Sequence, residues 1–595
     1  MPEKYAADFE TTTVEPVRVW AWGAARIDDT DIYDCGDDID SFFEWMQTVK
    51  NPVIYFHNEK FDGSFILYYL LTHGYKWKRK KADCKENEFT TIIDDMGKFY
   101  AIEIYWKRAG KTVKKATIYD SLKLIPMSID VAAKKFGLKM QKLKIDYDRH
   151  NTAKDITADE WEYLEHDVKI AAQLLQIMFD HGLTKMTLAG CSFNDFKQSF
   201  PKYEKYFPVL SYEMDAEIRR AYRGGWTYCN PENAGRDVGA GIVFDVNSLY
   251  PSQMHDRPLP KGRPRYFRGQ YEKNAHYPLY IQHLWSDFEI KPGSLPMIQL
   301  KTCPAFQPTE YITSTHGRLV ELYLPSPDLE LFLKHYNINE IYYTDGYMFM
   351  SENGIFEHWV DRWIAQKIQA EKDGNSALRQ ISKLILNSCY GKFGTNPKRR
   401  SKYPVLDTIN DKVAFKPIMN VCTDMYGNPI LDENGNEQVT AYELTPPKYV
   451  PIAVFVTAWA RYTTITAAQA IHGKSISETG RSRFCYADTD SIHLIGTEIP
   501  DNIDIDPYRL GAWKHESTFT RAKFLNAKRY IEEIDGKLNV KCAGLPANCH
   551  EQVTFENFEI GVEYTGKLQP KQVSGGVLLS ETKFQMKEVK KKNEK

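Results

Sequence analysis

Acidic side chains in the first third of the chain are spaced so that they could share divalent metal ions. Asp8 and Glu10 lie two residues apart in a strand-like stretch, so both would project from one face of a strand. Asp62 follows an apolar run, and Asp167 comes one helical turn after Tyr163. Phosphodiester cleavage needs a metal-activated water and a second metal on the leaving oxygen, and hard cations such as Mg²⁺ prefer oxygen ligands. These acids could perform that chemistry.

A second acidic group lies farther along the chain. Asp245 ends a predicted strand over 241–246, and Asp488 and Asp490 occupy the turn of a predicted hairpin over 484–495. Aspartates are ordinary turn residues, and acids are common at strand edges, so neither group establishes a site by itself.

A predicted helix over 377–390 could bind a triphosphate. Arg379, Lys383 and Asn387 recur every four positions and therefore share one face of the helix. An amphipathic helix with basic residues on its solvated side would show the same periodicity, so the pattern alone leaves both interpretations open.

The elements that must position these residues predict a multidomain protein. The chain has 595 residues, several times the ~100 to 200 of a typical domain. Strand-like runs at 17–20 and 53–56, with a helix over 161–178, predict an α/β unit before residue 187. Glycine-bearing sequence at 190–225 marks a boundary, and a further helix is expected over 355–370. Turn signals at 427–429 and 432–435 make 396–445 a protruding loop or hairpin arm.

Composition is that of a globular protein, with 43% hydrophobic and 26% charged residues. No apolar run reaches the ~18 residues of a membrane span, and no signal sequence is evident, so we expect a soluble cytoplasmic protein. The ten scattered cysteines lack zinc-type spacing and are expected to be free thiols. Net charge is −2, but basic residues concentrate in runs at 76–81, 398–402 and 590–592. Each run alone is typical of solvated surface, and together with the acids they suit phosphate and metal binding.

The order of the motifs resembles that of family B DNA polymerases. Asp-x-Glu at 8–10, Asn-x-x-x-Asp at 58–62 and Tyr-x-x-x-Asp at 163–167 resemble the family's three exonuclease motifs. The remaining matches are Tyr-x-Gly-Gly at 222–225, Asp-x-x-Ser-Leu-Tyr-Pro at 245–251, Lys-x-x-x-Asn-Ser-x-Tyr-Gly at 383–391, Asp-Thr-Asp at 488–490 and Lys-x-Tyr at 528–530. They resemble its linker, palm, nucleotide-binding and primer-terminus motifs.

The resemblance implies two active sites, each with two Mg²⁺ ions for which Mn²⁺ could substitute. The implied 3′-5′ exonuclease site has the metal ligands Asp8, Glu10, Asp62 and Asp167, with Tyr163 orienting the water. The implied polymerase site has the metal ligands Asp245, Val246 through its carbonyl, Asp488 and Asp490. Implied nucleotide-binding residues are Tyr250, which would exclude ribonucleotides, Arg379, Lys383, Asn387 and Tyr390. Implied DNA-binding residues are Thr11, Asn58, Phe61, Ser121, Leu122, Lys142, Tyr222, Arg223, Gly224, Gly225, Lys528 and Tyr530.

Within family B, the stretches 457–466, 541–544 and 571–577 are similar to the small protein-primed bacteriophage polymerases of the phi-twenty-nine type. The implied fold is α/β and α+β multidomain: an RNase H-like 3′-5′ exonuclease domain, then a right-hand polymerase of palm, fingers and thumb with two protein-priming-type insertions. The expected domains are 1–187, exonuclease; 188–260, linker and first part of palm; 261–358, first insertion and palm; 359–394, fingers; 395–449, second insertion, a processivity and strand-displacement arm; 450–530, palm; and 531–595, thumb and basic tail.

The implied function is protein-primed, processive, strand-displacing replication of viral DNA with proofreading. The implied partners are DNA primer-template, single-stranded DNA, deoxynucleoside triphosphates and a terminal protein whose hydroxyl primes synthesis. We expect a monomer in the host cytoplasm with no membrane partner. The chain departs from the family pattern in its longer 396–445 segment, in added residues at 473–481 and in a lysine-rich tail after residue 584. These departures bear on processivity and terminal-protein specificity.

Three other interpretations compete with this one. A catalytically reduced replication factor that binds single-stranded DNA would not need intact acids in both groups. A stand-alone nuclease would leave Asp245, Lys383 and Asp490 without a role. An RNA polymerase or reverse transcriptase could share the palm acids but would not need the exonuclease set.

Overall fold

The computed structural model describes residues 2–106, 114–422 and 428–587. The basic run 590–592, and Gly427 of the turn predicted at 427–429, lie outside the described residues. Within these ranges no helix is both long enough and apolar enough to cross a membrane.

An α/β unit forms the first part of the molecule, as predicted. Its strands are β1 Lys4–Thr11, β2 Val19–Arg26, β3 Tyr33–Gly36, β4 Val53–Phe56, β5 Lys76–Trp77, β6 Glu88–Asp94, β7 Phe99–Trp106 and β8 Lys114–Asp120. Its helices are α1 Ile39–Thr48, α2 Asp62–Thr72, α3 Ile129–Phe136 and α4 Ala158–Asp180. Helix α4 begins at a capping box formed by Thr157 and Glu160, and it packs across β1 and β2.

Three helices connect this unit to a second, mixed region. They are α5 Leu188–Ser199, α6 Tyr203–Tyr206 and α7 Tyr212–Arg219. The elements that follow are β9 Thr227–Cys229, β10 Gly241–Val246, α8 Leu249–Asp256, β11 Leu259–Arg268, β12 Leu279–Ile290, β13 Val320–Pro325, α9 Ser326–His335 and β14 Tyr336–Glu352.

Two adjacent helices occupy the segment expected to be the fingers. They are α10 Glu357–Lys372 and α11 Ser376–Ser388, followed by the short α12 Tyr390–Phe393. The predictions of helices over 355–370 and 377–390 are therefore confirmed, with ends shifted by one or two residues. The buried Ile381 and Ile385 define the inner face of α11, whereas Leu384 is only half-buried.

The remaining elements are strands, most of them paired in antiparallel hairpins, and one long helix. They are β15 Lys398–Arg399, β16 Ser401–Asp407, β17 Lys412–Pro417, β18 Asn420–Val421, β19 Val439–Thr440, β20 Glu443–Leu444, α13 Pro451–Thr479, β21 Phe484–Asp488, β22 Ser491–Ile495, β23 Trp513–Phe519, β24 Arg521–Asn526, β25 Arg529–Ile534, β26 Lys537–Cys542, β27 Glu563–Val573 and β28 Gly576–Gln585. Helix α13 is largely buried, which suits a central support.

Three sheets carry most of the molecule. The first sheet belongs to the α/β unit at the start of the chain and has the strand order β17-β16-β6-β7-β8-β4-β1-β2-β3, with β5 paired to β6. The palm-like sheet, named after the segments expected to form the palm, has the strand order β23-β10-β22-β21-β9. A third sheet has the order β11-β14-β12-β13. Strands β16 and β17 come from the expected arm, so the base of that segment is part of the first sheet rather than a free protrusion.

The C-terminal hairpin β27–β28 reaches back to the first unit. Val573 and Val577 at its tip are buried in the same apolar cluster as Phe65 of α2, and the Gln572 amide donates to Ser64 Oγ at 2.9 Å. The domain boundary expected between residues 530 and 531 falls inside β25, so the sheet β24-β25-β26 belongs together. The limits expected between 260 and 261 and between 358 and 359 likewise fall inside β11 and α10, and the remaining domain limits stay predictions.

Gly575 fits the docked hairpin tip because it lacks a Cβ. Its φ is +88°, and an added Cβ would lie 2.3 Å from the Val17 carbonyl oxygen. We expect Gly575→Ala to undock the tip and raise amide exchange over 571–578 at least about tenfold, the factor given by about 1.4 kcal/mol. Gly536→Ala is the matched control, since Gly536 has φ +68° but no atom within 4 Å of an added Cβ. Equal local effects in both variants would mean that backbone strain, not docking, is responsible.

Candidate active sites in two acidic clusters

The first acidic cluster is assembled from three elements. Asp8 and Glu10 project from one face of β1, Asp62 begins α2, and Asp167 faces them from α4. The carboxylate oxygens of Asp8, Glu10 and Asp167 lie within 4.8 Å of one another. Glu10, Asp62 and Asp167 are each at most 5% exposed. The sequence prediction that these acids converge is therefore correct.

Burial and mutual repulsion dominate the electrostatics of this cluster. Burial, followed by the Asp167 charge, raises the pKa of Asp8 to about 7. Burial and the Asp8 charge raise the pKa values of Glu10 and Asp62 well above the usual range. The Oδ1 atoms of Asp62 and Asp167 are buried and have no hydrogen-bond partner. The charged forms of these carboxylates are therefore unfavourable, and two of their oxygens lack a hydrogen-bond partner. A bound divalent cation would compensate for both.

Next to this cluster lie the side chains of Lys142, Tyr163 and Tyr147. The Lys142 ammonium contacts Asp167 and lies 5.1 Å from the ring centre of Tyr163. Burial acts to lower the pKa of Lys142, but the Asp167 charge and hydrogen bond together with the Asp8 charge outweigh it, and the pKa is raised. The hydroxyls of Tyr163 and Tyr147 are hydrogen-bonded at 2.8 Å. Tyr147 was not predicted as a site residue, because nothing in its local sequence distinguishes it.

The residues implied to hold a single-stranded 3′ end surround one buried acid. The amides of Asn58 and Leu122 donate to Asp120 Oδ1 at 3.0 and 2.9 Å. Ser121 Oγ donates to the Phe56 carbonyl at 3.0 Å. Asp120 therefore fixes two loops against each other, a role the sequence prediction missed. Its signal was a polar residue ending the strand β8.

Thr11 and Phe61 complete this set. Thr11 follows Glu10 at the end of β1, and Phe61 directly precedes α2, with its ring 5.6 Å from that of Phe65.

The second acidic cluster lies on the palm-like sheet. Asp245 on β10 is paired with Ser491 of β22 and Lys514 of β23, and Asp490 lies in the turn between β21 and β22. The Val246 amide donates to the Asp490 carbonyl at 2.8 Å, which joins the two acidic segments. Burial, followed by the Asp490 charge, raises the pKa of Asp245 to about 7, and burial also raises that of Asp490.

Lysines partly neutralise this second cluster. The Lys528 ammonium contacts Asp488, whose Oδ1 also accepts from Thr227 Oγ1 at 3.1 Å. Lys514 Nζ lies 3.7 Å from Asp245 Oδ1 and 2.9 Å from Glu516. The oxygens of Asp245, Asp488 and Asp490 do not form a set within 4.8 Å like that of the first cluster.

Helix α13 holds both the 222–225 linker and the acidic turn at 488–490. Arg461 donates to the carbonyls of Arg223 and Gly224 at 2.9 and 2.7 Å, and it forms a buried ion pair with Asp328 at 2.5 Å. One turn later, Thr464 Oγ1 donates to the Thr489 carbonyl at 2.7 Å. No helix was predicted at 451–479 from the sequence, and the backbone atoms that it holds are evident only from the fold.

Close packing joins the linker to the same turn. An added Cβ on Gly225 would lie 2.6 Å from the Thr489 side chain, so only glycine permits this approach. Tyr222 contacts Gly394 near the end of the fingers segment, where an added Cβ would also clash. Gly225 of the linker therefore serves close packing, whereas an added Cβ on Gly224 would meet no atom within 4 Å.

The expected nucleotide-binding residues form one surface between the fingers and the palm. Arg379, Lys383 and Asn387 are exposed on one face of α11, as predicted. Tyr250 stacks on Tyr390 with ring centres 4.3 Å apart.

Lys367 of α10 adds a fourth finger residue to this surface, which the sequence prediction missed. Burial, then the charges of Arg379 and Lys383, lowers the pKa of Lys367, and Lys514 adds to this effect. Four cations from two domains therefore face one space. Only the three-dimensional arrangement reveals Lys367, because it lies 16 residues before the nearest quoted motif, which begins at Lys383.

Tyr530 packs within an aromatic group beneath the palm acids. It is 9% exposed, and its ring lies 5.0 Å from that of Tyr486. The Lys528 amide donates to the Tyr486 hydroxyl at 2.9 Å, and Lys528 has φ +64°. This turn directs the Lys528 side chain toward Asp488.

Comparisons with known proteins agree with this geometry. The family model described as "DNA polymerase type B, organellar and viral" matches residues 46–158 and 144–472. The DNA polymerase of Bacillus phage phi29 is 42% identical over 99% of this chain and 100% of its own length. That of Streptococcus phage Cp-1 is 32% identical over 98% of each chain. The structure of phi29 DNA polymerase with primer-template DNA and incoming nucleotide matches with TM-score 0.88 and 40% identity, covering 99% and 100% of the two chains.

The chain therefore belongs to the family B DNA polymerases. Its full-length relatives are phage enzymes, and it is a DNA polymerase of the phi29 type. The predicted family and the predicted multidomain fold are confirmed.

The pKa of Asp8 gives a test of the first cluster. Because this pKa is about 7 in the folded state against an ordinary value of 3.8, ionised Asp8 destabilises the metal-free protein above pH 7. We expect Asp8→Asn to raise the free energy of unfolding at pH 8 in chelator by more than about 1 kcal/mol. The gain should shrink as the pH falls from 7 toward 4. Thermal unfolding across this range measures it, with the exposed Asp83→Asn as control, and a gain independent of pH would contradict the assigned repulsion.

Proposed function

We propose that this DNA polymerase also carries a 3′-5′ proofreading exonuclease and replicates viral DNA by protein-primed, processive, strand-displacing synthesis. The observation that carries the proposal is the presence of two separate acidic clusters on two different sheets. Asp8, Glu10, Asp62 and Asp167 belong to the first sheet and the helices packed on it, whereas Asp245 and Asp490 belong to the palm-like sheet. Synthesis requires only the second cluster, so the first has another task.

Each cluster is proposed to bind two Mg²⁺ ions, with Mn²⁺ able to substitute. The unpartnered, buried oxygens of Asp62 and Asp167 support this for the first cluster. In the second, Asp245, Asp488, Asp490 and the Val246 carbonyl would be the ligands. Bound metal ions would supply charge stabilisation for phosphoryl transfer and a deprotonated nucleophile.

The protein's own side chains would position the substrates of synthesis. Arg379, Lys383 and Lys367 would bind the triphosphate, and Asn387 extends the same face of α11. The stacked rings of Tyr250 and Tyr390 would contact the sugar and the new base pair and exclude a ribose 2′ hydroxyl. Lys528 and Tyr530 would hold the primer terminus beside Asp488. Tyr222, Arg223, Gly224 and Gly225 would contact the template.

The proposed exonuclease would bind an unpaired 3′ end at the first acidic cluster, in the α/β unit at the start of the chain. Thr11, Asn58, Phe61, Ser121 and Leu122 would hold the terminal nucleotides, since Asp120 fixes their loops. Tyr163 would orient the attacking water, and its hydrogen bond to Tyr147 restrains the hydroxyl. Lys142 would offset negative charge at Asp167.

The proposed partners follow from the relatives. Solved structures of phi29 DNA polymerase include primer-template DNA, incoming nucleotide and single-stranded DNA, and these are proposed substrates here. A terminal protein is proposed as primer, contacting the insertions at 261–358 and 395–449. The relatives are phage-encoded, so the proposed location is the host cytoplasm, where the chain would act as a monomer.

Separation of the two activities tests the proposed function. Primer extension on a primed circular single strand with Mg²⁺ is expected to fall by at least about a thousandfold in Asp490→Ala, because several kcal/mol of charge stabilisation are lost. That variant should still degrade primer. Asp8→Ala should do the reverse, and the exposed Asp83→Ala should keep both activities. If either active-site substitution removed both activities in a folded protein, the two-site assignment would be wrong.

Lys514 provides a second test, within the polymerase site. Since it lies beside Asp245 and faces the finger cations, we infer that it contacts the triphosphate from the palm side. Lys514→Ala should raise the apparent KM for nucleotide about five- to tenfold with a smaller change in kcat, whereas Lys514→Arg should restore most of the affinity. Lys273→Ala on the surface is the control. An unchanged nucleotide KM with an altered Mg²⁺ dependence would limit Lys514 to balancing Asp245.

A further inference from the structure

Two basic runs that take no part in either acidic cluster lie side by side in the fold. Trp77 stacks on Tyr403 with ring centres 4.6 Å apart and planes at 26°, although some 320 residues separate them in the chain. Strand β16 pairs with β6 through Ser401 and Lys402. Together the runs form what we call the cationic groove, made of Lys76, Lys78, Arg79, Lys80, Lys81, Lys398, Arg399, Arg400 and Lys402.

The cationic groove is held in place by specific contacts. The Arg79 guanidinium contacts the amide oxygen of Asn420 and donates to the Met419 carbonyl at 3.5 Å. The neighbouring Ile418 amide donates to the Ser401 carbonyl at 2.9 Å, so Arg79 is joined to the second run through the 418–420 segment. The Trp77 indole N–H donates to Thr91 Oγ1 at 3.0 Å. The two runs are therefore held together by sheet pairing and by polar contacts of Arg79 and Trp77.

Positive charge in the groove is largely unneutralised. Among the described residues, Lys78 alone of the nine forms an ion pair with an acid, Glu88 at 3.3 Å. A cavity of about 370 Å³ opens here, lined by Arg79, Lys80, Lys81 and Arg399 together with the acids Glu103 and Glu443. Glu103 is already paired with Lys115 at 3.2 Å. Close, unpaired cations repel one another, and a polyanion would relieve that repulsion.

The groove is distinct from the exonuclease site. In the first sheet β6 is separated from β1 by β7, β8 and β4, so four strand spacings of about 4.8 Å, close to 20 Å, lie between them. A 3′ end bound at Asp8 would not occupy it. The groove instead lies where the expected strand-displacement arm joins the first unit, since Lys398 to Lys402 precede β16 or belong to it.

We propose that the cationic groove binds the phosphate backbone of the displaced, non-template DNA strand. The proposal rests on the strand-displacing synthesis proposed above. A strand separated at the arm would run over the base of the arm, and its re-pairing with the template would regain about 1.4 kcal/mol per base step. Lysine and arginine contacts to phosphate hold single strands without sequence preference. The two aromatic rings stack on each other, so backbone charge rather than base stacking is what the groove recognises.

The test removes charge from exposed positions that have no ion pair among the described residues. The groove variant combines Lys80→Gln, Lys81→Gln, Arg399→Gln and Arg400→Gln. The matched control combines Lys50→Gln, Arg236→Gln, Lys273→Gln and Arg481→Gln, which remove the same charge from exposed sites elsewhere. Extension is measured on a primed single strand and on the same template with a blocking strand that carries a 5′ flap.

We expect the groove variant to copy the single strand at the parental rate but to slow severalfold on the blocked template. This deficit should shrink as salt rises, because salt also weakens the parent's phosphate contacts. Binding of a fork with a 5′ flap should lose about two to three units from the slope of log K against log salt, because each phosphate contact on a single strand contributes about 0.7. A fork without the flap should show no such loss. Photo-crosslinks from the flap should fall in residues 76–81 or 398–402.

Other outcomes would overturn the proposal. Equal slowing on both templates, or crosslinks from the template strand alone, would assign the groove to the template. Behaviour like the control would make the groove solvated surface. If the parent copied single strands but could not displace the blocking strand, the proposed strand displacement would fail, and flap binding would still decide whether the groove holds this strand.

Discussion

Mutual repulsion among carboxylates withdrawn from water is the constraint on which both acidic clusters depend. Oxygens of Asp8, Glu10 and Asp167 lie within 4.8 Å of one another, and burial raises the pKa of Asp8 to about 7. Repulsion among its charged carboxylates would separate the members of such a cluster if nothing else held them. It persists because its members belong to β1, α2 and α4, which are packed into apolar cores away from the acids. The cost at the site is offset by ordinary core packing elsewhere.

The same requirement explains why α13 is so deeply buried. Asp490 sits in a turn, where nothing local would stop like charges from moving apart. Thr464 anchors the Thr489 carbonyl from one side, and Arg461, one helical turn earlier, anchors the linker carbonyls. The turn that would bind metal and the linker that would contact the template are therefore held by one rigid helix. A displacement of the turn would therefore also displace the linker, and a displacement of the linker would displace the turn.

Local features of this fold could be predicted from sequence, and contacts between distant segments could not. Strands 53–56 and 241–246 have the predicted bounds, and the helix over 161–178 lies within α4, because apolar periodicity and flanking turns encode them locally. The pairing of β16 with β6 joins segments about 300 residues apart and leaves no periodic signal. Lys367, Lys514 and Asp120 were missed for a related reason: each acts through a neighbour that only the fold supplies.

Acidic and basic residues are also segregated from each other across the whole molecule. A net charge of −2 suggests little affinity for DNA, yet it is the sum of two opposed arrangements. With metal binding as proposed, the acids concentrated at the sites would repel a phosphate backbone until the metal ions are bound. A lysine beside each cluster, Lys142 at Asp167 and Lys528 at Asp488, reduces that repulsion without replacing the metal. Additional cations must then lie away from the acids, where they attract DNA without neutralising the ligands. Under the proposed mechanism, a dependence on metal and the separation of charge would thus be two consequences of one electrostatic requirement.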